Sequence, residues 1–405
     1  MDKCIVCFDN KLTTVISLGL HPPADSFLKD CGNKLPIKSY QLNCEICASC
    51  GHLQNQVLVP DSERYEDIDY SYTSSNSKIS MNHWTEFFST VSAKIELVDK
   101  DCVLEFGSND GYLTELFNKK YTAIGLEPSP YLAKLSKKKG IEVINGYLNN
   151  KTISEAVERN GKYQLIFGNN VFNHISELND STIAIKSGLK SDGFFVFESP
   201  YCLDVIQNYY FDTIYHEHLS YFSIKSVDTL FKRNGLYIVD IERNSYHGGC
   251  IRVYSTPDIS KYNSKLVNEF IQNETTLGLF KLETYEKYMQ KIAKDKYSTV
   301  RKLLKMKENG LKIAAVGAAA RSNTLLNYYK LDSSIIDFIT DSSEHKIGKY
   351  TPGSSIPILD DDALKELKPD IAIILSWNIG KFLIEKIQKI NPNMKVISLG
   401  DKELL

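Results

Sequence analysis

Tyr215-His-Glu-His-Leu-Ser-Tyr221 gathers two imidazoles, a carboxylate and two phenols into one short stretch. Histidine titrates near neutrality, so such a cluster suits proton transfer, and a nearby carboxylate such as Glu217 or Glu198 can fix a tautomer and raise its basicity. His216 and His218 stand too close for the i, i+4 pair of a helical zinc protease. That leaves a general acid or base, or a histidine hydrogen-bonded in a helix cap. Gly168-Asn-Asn-Val-Phe-Asn-His-Ile175 offers a second polar group, with Asn169 or Asn170 expected near a cofactor and His174 near a substrate. A third is His247-Gly-Gly-Cys-Ile-Arg252, whose glycines allow close backbone approach.

A different chemistry is written in Val103-Leu-Glu-Phe-Gly-Ser-Asn-Asp-Gly-Tyr-Leu-Thr-Glu-Leu-Phe117. Apolar positions run into Gly107, small polar residues follow, and after Gly111 apolar residues return at helical spacing, which reads as strand, tight turn and helix. Glycines let the backbone approach a ligand, and the new helix offers unpaired N–H groups. Glu127 ends the next strand, sixteen residues after Gly111, where an acid accepts both hydroxyls of an adenosine ribose. With Glu105 and Asp110 the turn is too acidic for a pyrophosphate, and it lacks Gly-x-Gly-x-x-Gly; a cationic ligand suits it better. Glu-x-Gly-x-x-x-Gly followed by Glu127 resembles the cofactor loop of class I S-adenosylmethionine-dependent methyltransferases. The cofactor contacts expected are Glu105, Gly107, Ser108, Asn109, Gly111, Glu127, Pro128, Asn169 and Asn170.

Cys4-Ile-Val-Cys7 and Cys44-Glu-Ile-Cys47-Ala-Ser-Cys50-Gly51 bracket the first segment. Two such knuckles brought together supply four thiolates to a structural zinc ion, the alternative being free or redox thiols. Of the overlapping pairs, Cys47 and Cys50 are chosen with Cys4 and Cys7, because Gly51 lets the knuckle turn back on the metal. Four cysteine ligands leave no open position, so the ion is expected to serve folding.

These groups must be held by a chain of 405 residues, enough for two or three domains. Its net charge of −2 makes no electrostatic case for nucleic acid or a membrane surface. No apolar run is long enough to span a bilayer, and Met1-Asp2-Lys3-Cys4 does not read as a signal peptide, so a cytoplasmic protein is expected, acting as a monomer. The expected domains are 1–75, a zinc-binding domain with a tyrosine-rich linker; 76–300, the cofactor domain with a helical connector; and 301–405, a smaller α/β domain. The linker, Tyr65 to Asn76, reads equally as a lid or as a half-buried connection. A helix is expected from about Met81 to Leu97.

Strands are expected at 102–106, 122–126, 141–144, 163–168, 193–198, 236–242 and 249–255, mostly parallel with helices on both faces. Asn244 to Gly248 is too short for a crossover helix, so the last two should pair antiparallel. Leu266 to Leu304 carries long solvated helices. Beyond them, Leu311 to Leu326 starts a second strand-turn-helix, followed by strands at 335–340, 371–375 and 396–399. Its turn holds Arg321 and no acid, so an anionic group is expected there.

Taken together, Cys-x-x-Cys, His21-Pro-Pro-Ala-Asp-Ser-Phe27, Cys-x-x-Cys-Gly, Phe-Gly-Ser-Asn-Asp-Gly, Glu-Pro-Ser, Tyr-His-Glu-His-Leu-Ser-Tyr-Phe-Ser, His-Gly-Gly-x-x-Arg and Gly-Ala-Ala-Ala-x-x-Asn-Thr-Leu-Leu-Asn resemble the sugar C-methyltransferases that act on nucleotide-linked keto-deoxysugars, over essentially the whole chain. The resemblance implies an α/β class I methyltransferase (Rossmann-like) core, an N-terminal zinc-binding domain and a smaller C-terminal Rossmann-like domain that helps hold the sugar nucleotide. It implies S-adenosylmethionine and structural zinc as cofactors. The family's base matches His218, with Tyr215 and Glu217 in the same motif, His174 across the cleft, and Tyr70 or Tyr72 from the linker. Tyr201, His247, Arg252, Arg321 and Asn323 are expected at the acceptor. Cys250 departs from the family's serine, and Arg321-Ser322 from its commoner Lys-Gly. An O- or N-methyltransferase is the alternative within the same cofactor chemistry.

Overall fold

The computed structural model describes residues 1–30, 37–60, 63, 73, 75 and 77–399; Tyr70 and Tyr72 lie outside them. Strands β1 (Leu12–His21), β2 (Tyr40–Cys47) and β3 (Leu53–Asn55) form an antiparallel meander. Its fourth strand comes from far along the chain: β9 (Ser220–Tyr221), the end of the histidine-rich motif, pairs antiparallel with β3.

The central sheet is built on β4 (Cys102–Phe106), β5 (Thr122–Glu127), β6 (Val143–Asn145), β7 (Tyr163–Asn169), β8 (Leu189–Pro200), β10 (Tyr237–Asn244) and β11 (Cys250–Thr256). Their order is β10-β11-β8-β7-β4-β5-β6, and β11 runs antiparallel to both neighbours, as its short hairpin demands. Alternate residues point to opposite faces, so each strand feeds two cores. Val103, Leu165, Phe167 and Val196 pack under helix α1 (Lys78–Lys94) through Trp84, Phe87 and Val91. Leu104, Phe106, Ile166, Phe195 and Phe197 pack on the other face with Phe172 and Phe231.

Helices α2 (Tyr112–Asn118), α3 (Pro130–Lys138), α4 (Asn150–Asn160), α5 (Leu178–Gly188), α6 (Cys202–Gln207) and α7 (Ile224–Asn234) connect these strands. Their ends are specified locally. Ser129 caps α3 ahead of Pro130 at its first position, while Ser223 and Ser226 form a capping box on α7, which Gly235 ends in the left-handed conformation.

Two connector helices, α8 (Ser264–Thr276) and α9 (Leu282–Glu308), lead to a five-stranded parallel sheet. It comprises β12 (Ile313–Val316), β13 (Phe338–Thr340), β14 (Ile358–Leu359), β15 (Ile371–Ile374) and β16 (Lys395–Ser398) in the order β14-β13-β12-β15-β16. Helices α10 (Ala320–Tyr329), α11 (Ala363–Glu366) and α12 (Gly380–Ile390) complete it. Among the described residues no helix is long and apolar enough to cross a membrane.

Candidate active site

Backbone geometry shapes the turn after β4. Gly107 and Gly111 take φ of +63° and +78°, and a Cβ would stand 2.5 Å from Val171 at the first and 2.6 Å from Ile141 at the second. Any side chain would meet both strain and collision there. Beneath the turn lies a cavity of about 400 Å³, lined by Gly107, Asn109, Glu127, Pro128, Asn170 and His174 among the expected residues. It is completed by Tyr147 and Leu148 after β6 and by Glu177 and Asp180 at the start of α5. Asn109 and Asn170, on two sides of it, hold φ of 55° and 54°, the kind of local strain that gathers at ligand sites.

Glu127 is held by two backbone donors, Asn109 N–H to Oε2 and Ser129 N–H to Oε1, each at 2.8 Å. Its carboxyl is nonetheless raised to about 7, burial outweighing those hydrogen bonds. Burial raises Glu105 to about 8, against the hydroxyl of Thr114 that donates to it. Glu105, Ser108, Gly111 and Asn169 do not line the cavity. Glu105 serves the turn through Thr114, Ser108 packs under Gly125, and Gly111 packs on Ser136 and Ile141. Gly111 therefore acts on helix–sheet packing rather than by touching a ligand.

On the far side of His174 sits the histidine motif. The ring centroids of His174 and His218 are 5.0 Å apart, and the Tyr215 hydroxyl lies 2.6 Å from His218 Nε2. His218 Nδ1 is 2.9 Å from the carbonyl of Thr213. A carbonyl only accepts, so Nδ1 carries the proton and Nε2 holds the lone pair toward Tyr215. Burial holds the His218 pKa well below the usual range, with the neighbouring His174 acting the same way and the Thr213 carbonyl opposing. The imidazole is thus neutral, tautomer-fixed and 6% exposed.

Several expected contacts are already committed to other partners. Glu198 does not touch His218: it accepts from His83 Nε2 at 2.6 Å and pairs with Arg252 at 2.9 Å. Arg252 is 2% exposed, bonded also to Glu86 and Glu242 and lying over Phe87, so it ties the hairpin to α1 and is not available to an acceptor. Tyr201 is fully buried, its hydroxyl donating to Glu274 at 2.8 Å. Asn323 donates to the carbonyl of Ala24 at 2.6 Å and clamps the proline-rich stretch to α10.

Arg321 likewise meets Asp212 through Nε at 3.1 Å and the His247 carbonyl through Nη1 at 3.2 Å, over the ring of Trp377. The turn before α10 is closed as well: Gly317 N–H donates to Thr340, Ala318 N–H to Asp341 and Ala319 N–H to Ser322. The anion site expected at this turn is replaced by an interdomain clamp. Asp212, 4% exposed, receives both Arg321 and the indole N–H of Trp377. Neither Asp212 nor Trp377 was legible beforehand; a tryptophan in the polar loop after β15 was the available signal. His247 does not line the cavity; it holds φ of 51°, with its Nδ1 3.4 Å from Asn378.

The four chosen cysteines do converge. Their sulfurs lie within 4.8 Å of one another, with Cys4 to Cys50 and Cys7 to Cys47 both at 3.5 Å. Thiolates about 2.3 Å from a tetrahedral zinc stand roughly 3.8 Å apart, so the set fits the ion. Cys44 is outside it and faces Asn55 Oδ1 at 3.3 Å. Cys44→Ser is expected to leave one zinc per chain by metal analysis; loss of the ion would place Cys44 among the ligands.

Comparison with known proteins agrees with this geometry. A zinc binding domain family matches residues 4–65, a methyltransferase domain family 80–241 and the C-methyltransferase C-terminal domain family 245–396. C-methyltransferase NovU of Streptomyces niveus is 29% identical over 396 residues, 97% of this chain and 94% of its own. An S-adenosylmethionine-dependent methyltransferase structure from Clostridium acetobutylicum is 14% identical and covers 44% of this chain and 91% of that one, with a TM-score of 0.34. An amino pentose methyltransferase structure from Micromonospora echinaspora is also 14% identical, over 43% and 92%, with a TM-score of 0.34. The cysteine cluster, the cofactor turn and the C-terminal sheet thus fall in the three matched segments in their order, and the chain is an S-adenosylmethionine-dependent methyltransferase that is similar along its length to a C-methyltransferase.

Proposed function

We propose that the protein methylates a carbon alpha to the carbonyl of a nucleotide-diphosphate-linked keto-deoxysugar, forming a branched-chain sugar, with His218 as the base. The observation that carries this reading is the hydrogen bonding of His218, which leaves Nε2 as a fixed acceptor beside the cofactor cavity. Carbon has no lone pair to offer, so an alpha proton must leave before the carbon can attack, whereas oxygen or nitrogen needs little beyond positioning. A buried neutral imidazole of fixed tautomer serves the first need. The sugar nucleotide rests on the series of motifs shared with enzymes of that substrate class.

S-adenosylmethionine, when bound, supplies an electrophilic methyl on a sulfonium. The chain's own part is to move one proton. The C–H electron pair becomes the enolate while the proton reaches His218 Nε2, either directly after Tyr215 swings aside or through the Tyr215 hydroxyl, whose own proton passes to Nε2. His174, between cavity and base, is assigned to the enolate oxygen, and Glu217 to support of the loop. With wild-type enzyme in D₂O and no methyl donor, a panel of nucleotide-linked keto sugars should contain one that gains deuterium, read by mass spectrometry. Methyl transfer without any exchange would favour the O- or N-methyltransferase alternative.

Cofactor affinity should depend on pH. Glu105 and Glu127, raised to about 8 and about 7, are partly protonated near neutrality; Glu127, which lines the cavity, accepts ribose hydroxyls best as a carboxylate, and a bound cation favours ionisation of the buried Glu105 behind the turn through charge alone. Raised folded-state values mean that the cofactor-free fold loses stability as pH climbs from the unfolded carboxyl range through 7 and 8. Binding the cation should offset that loss. The rise in melting temperature caused by S-adenosylmethionine is therefore expected to be larger at high than at low pH across this window, with protons released on binding. A shift independent of pH would show that cofactor binding is not linked to the ionisation of these two acids.

A further inference from the structure

We propose that Asn55 is a positioning residue for the catalytic loop: its side-chain amide holds the carbonyls of Tyr215 and His218 together and so sets the direction of the His218 imidazole. Asn55 ends β3 and is 1% exposed. Its Nδ2 donates to Tyr215 O and to His218 O, both at 2.9 Å, and its backbone N–H donates to Leu219 O at 2.9 Å. Oδ1 faces the thiol of Cys44 at 3.3 Å, which fixes which end of the amide is which.

A primary amide has two N–H donors, and here each finds one carbonyl of the same turn. Aspartate would set acceptors against acceptors, and leucine would leave two buried carbonyls unmet, at about 1–3 kcal/mol each. The bonds that orient the imidazole come from Thr213 and Tyr215, both inside the loop, so they fix the ring only relative to the loop. What fixes the loop is supplied from outside. Thr324 of α10 holds Ile214 O at 3.0 Å on one side, and Asn55 holds the turn that carries the histidine on the other. Asn55 touches no lining residue of the cofactor cavity in these bonds, which separates its role from cofactor binding.

The inference rests on the reading of His218 as base, but its test reads the imidazole itself. Full-length, zinc-loaded protein labelled with ¹⁵N-histidine carries eight imidazoles, and His218→Asn identifies the His218 signals by their loss. Wild type is expected to show one tautomer at His218, protonated at Nδ1. In Asn55→Asp, and in the milder Asn55→Ser should aspartate prevent folding, the two nitrogens should average toward each other. S-adenosylmethionine affinity by calorimetry should stay within about twofold, as for sites without shared partners. An unchanged His218 spectrum in a folded variant overturns the proposal, and so does global unfolding of Asn55→Ser, which would assign the amide to the fold. If instead His218→Asn keeps full turnover while the Asn55 variants still blur the tautomer, it is the base assignment that fails.

Discussion

His218→Asn is expected to lower methyl transfer by about 10²–10⁴, the usual worth of a positioned general base. Asparagine keeps an amide N–H that can still meet the Thr213 carbonyl, so the loop loses the titratable nitrogen and the ring contacts while that hydrogen bond is retained. His218 does not line the cofactor cavity, and S-adenosylmethionine affinity should be preserved. The pattern to look for is a fall in kcat with unchanged calorimetric binding. Near-normal turnover would remove His218 from the role. Tyr215→Phe gives the companion measurement: a small loss means that the phenol only orients Nε2, and a loss as large as that of His218→Asn means that the proton travels through its hydroxyl.

The second large effect concerns the metal. Structural zinc sites contribute about 10–16 kcal/mol in isolated fingers, as much as the whole stability of an ordinary domain. A closed four-cysteine site reads in the sequence as a folding element whose loss would disturb the first segment before it reached the chemistry. The tertiary structure couples the two. In β3, Gln54 Oε1 accepts from Ile5 N–H at 2.9 Å and Gln54 Nε2 donates to Lys3 O at 3.2 Å, which anchors the first knuckle. The next residue, Asn55, points the opposite way to Tyr215 and His218, as alternation along a strand requires. Asn179 of α5 adds bonds to Ile5 O and Val6 O. Cys47→Ser, or exhaustive chelation, is therefore expected to abolish activity together with the fold of the first domain. Zinc content, circular dichroism and turnover, followed through one chelator titration, should fall in parallel. Metal fully lost with fold and turnover intact would defeat the structural assignment.

What was legible in the sequence is what neighbouring residues decide. Strand, turn and helix around Gly107 and Gly111 follow from apolar spacing and from the conformational demand of two glycines. The β10–β11 reversal follows from a connection too short to cross over. The cysteine pairs follow from knuckle spacing, and the exclusion of Cys44 from Gly51, which lets the knuckle that ends at Cys50 turn back on the metal. The preference for a cationic ligand over a pyrophosphate follows from the sign of charge in the turn, and S-adenosylmethionine itself from the resemblance of the Glu-x-Gly-x-x-x-Gly loop. Polar and charged residues outside such local patterns could not be assigned, since an arginine or tyrosine has the same sequence signature whether it meets a ligand or a buried carboxylate. Arg252, Tyr201 and Arg321 found Glu198, Glu274 and Asp212, partners separated from them by 54, 73 and 109 positions. The same holds for the reach of β9 into the zinc-domain sheet, and for the tautomer of His218, which rests on a backbone carbonyl that only the folded loop presents. Local periodicity and covalent geometry dictate the elements and the ligand types, whereas the choice among several chemically equivalent partners is made by long-range packing, where burial leaves a polar or charged group only the partners that the fold brings to it and no water to replace them.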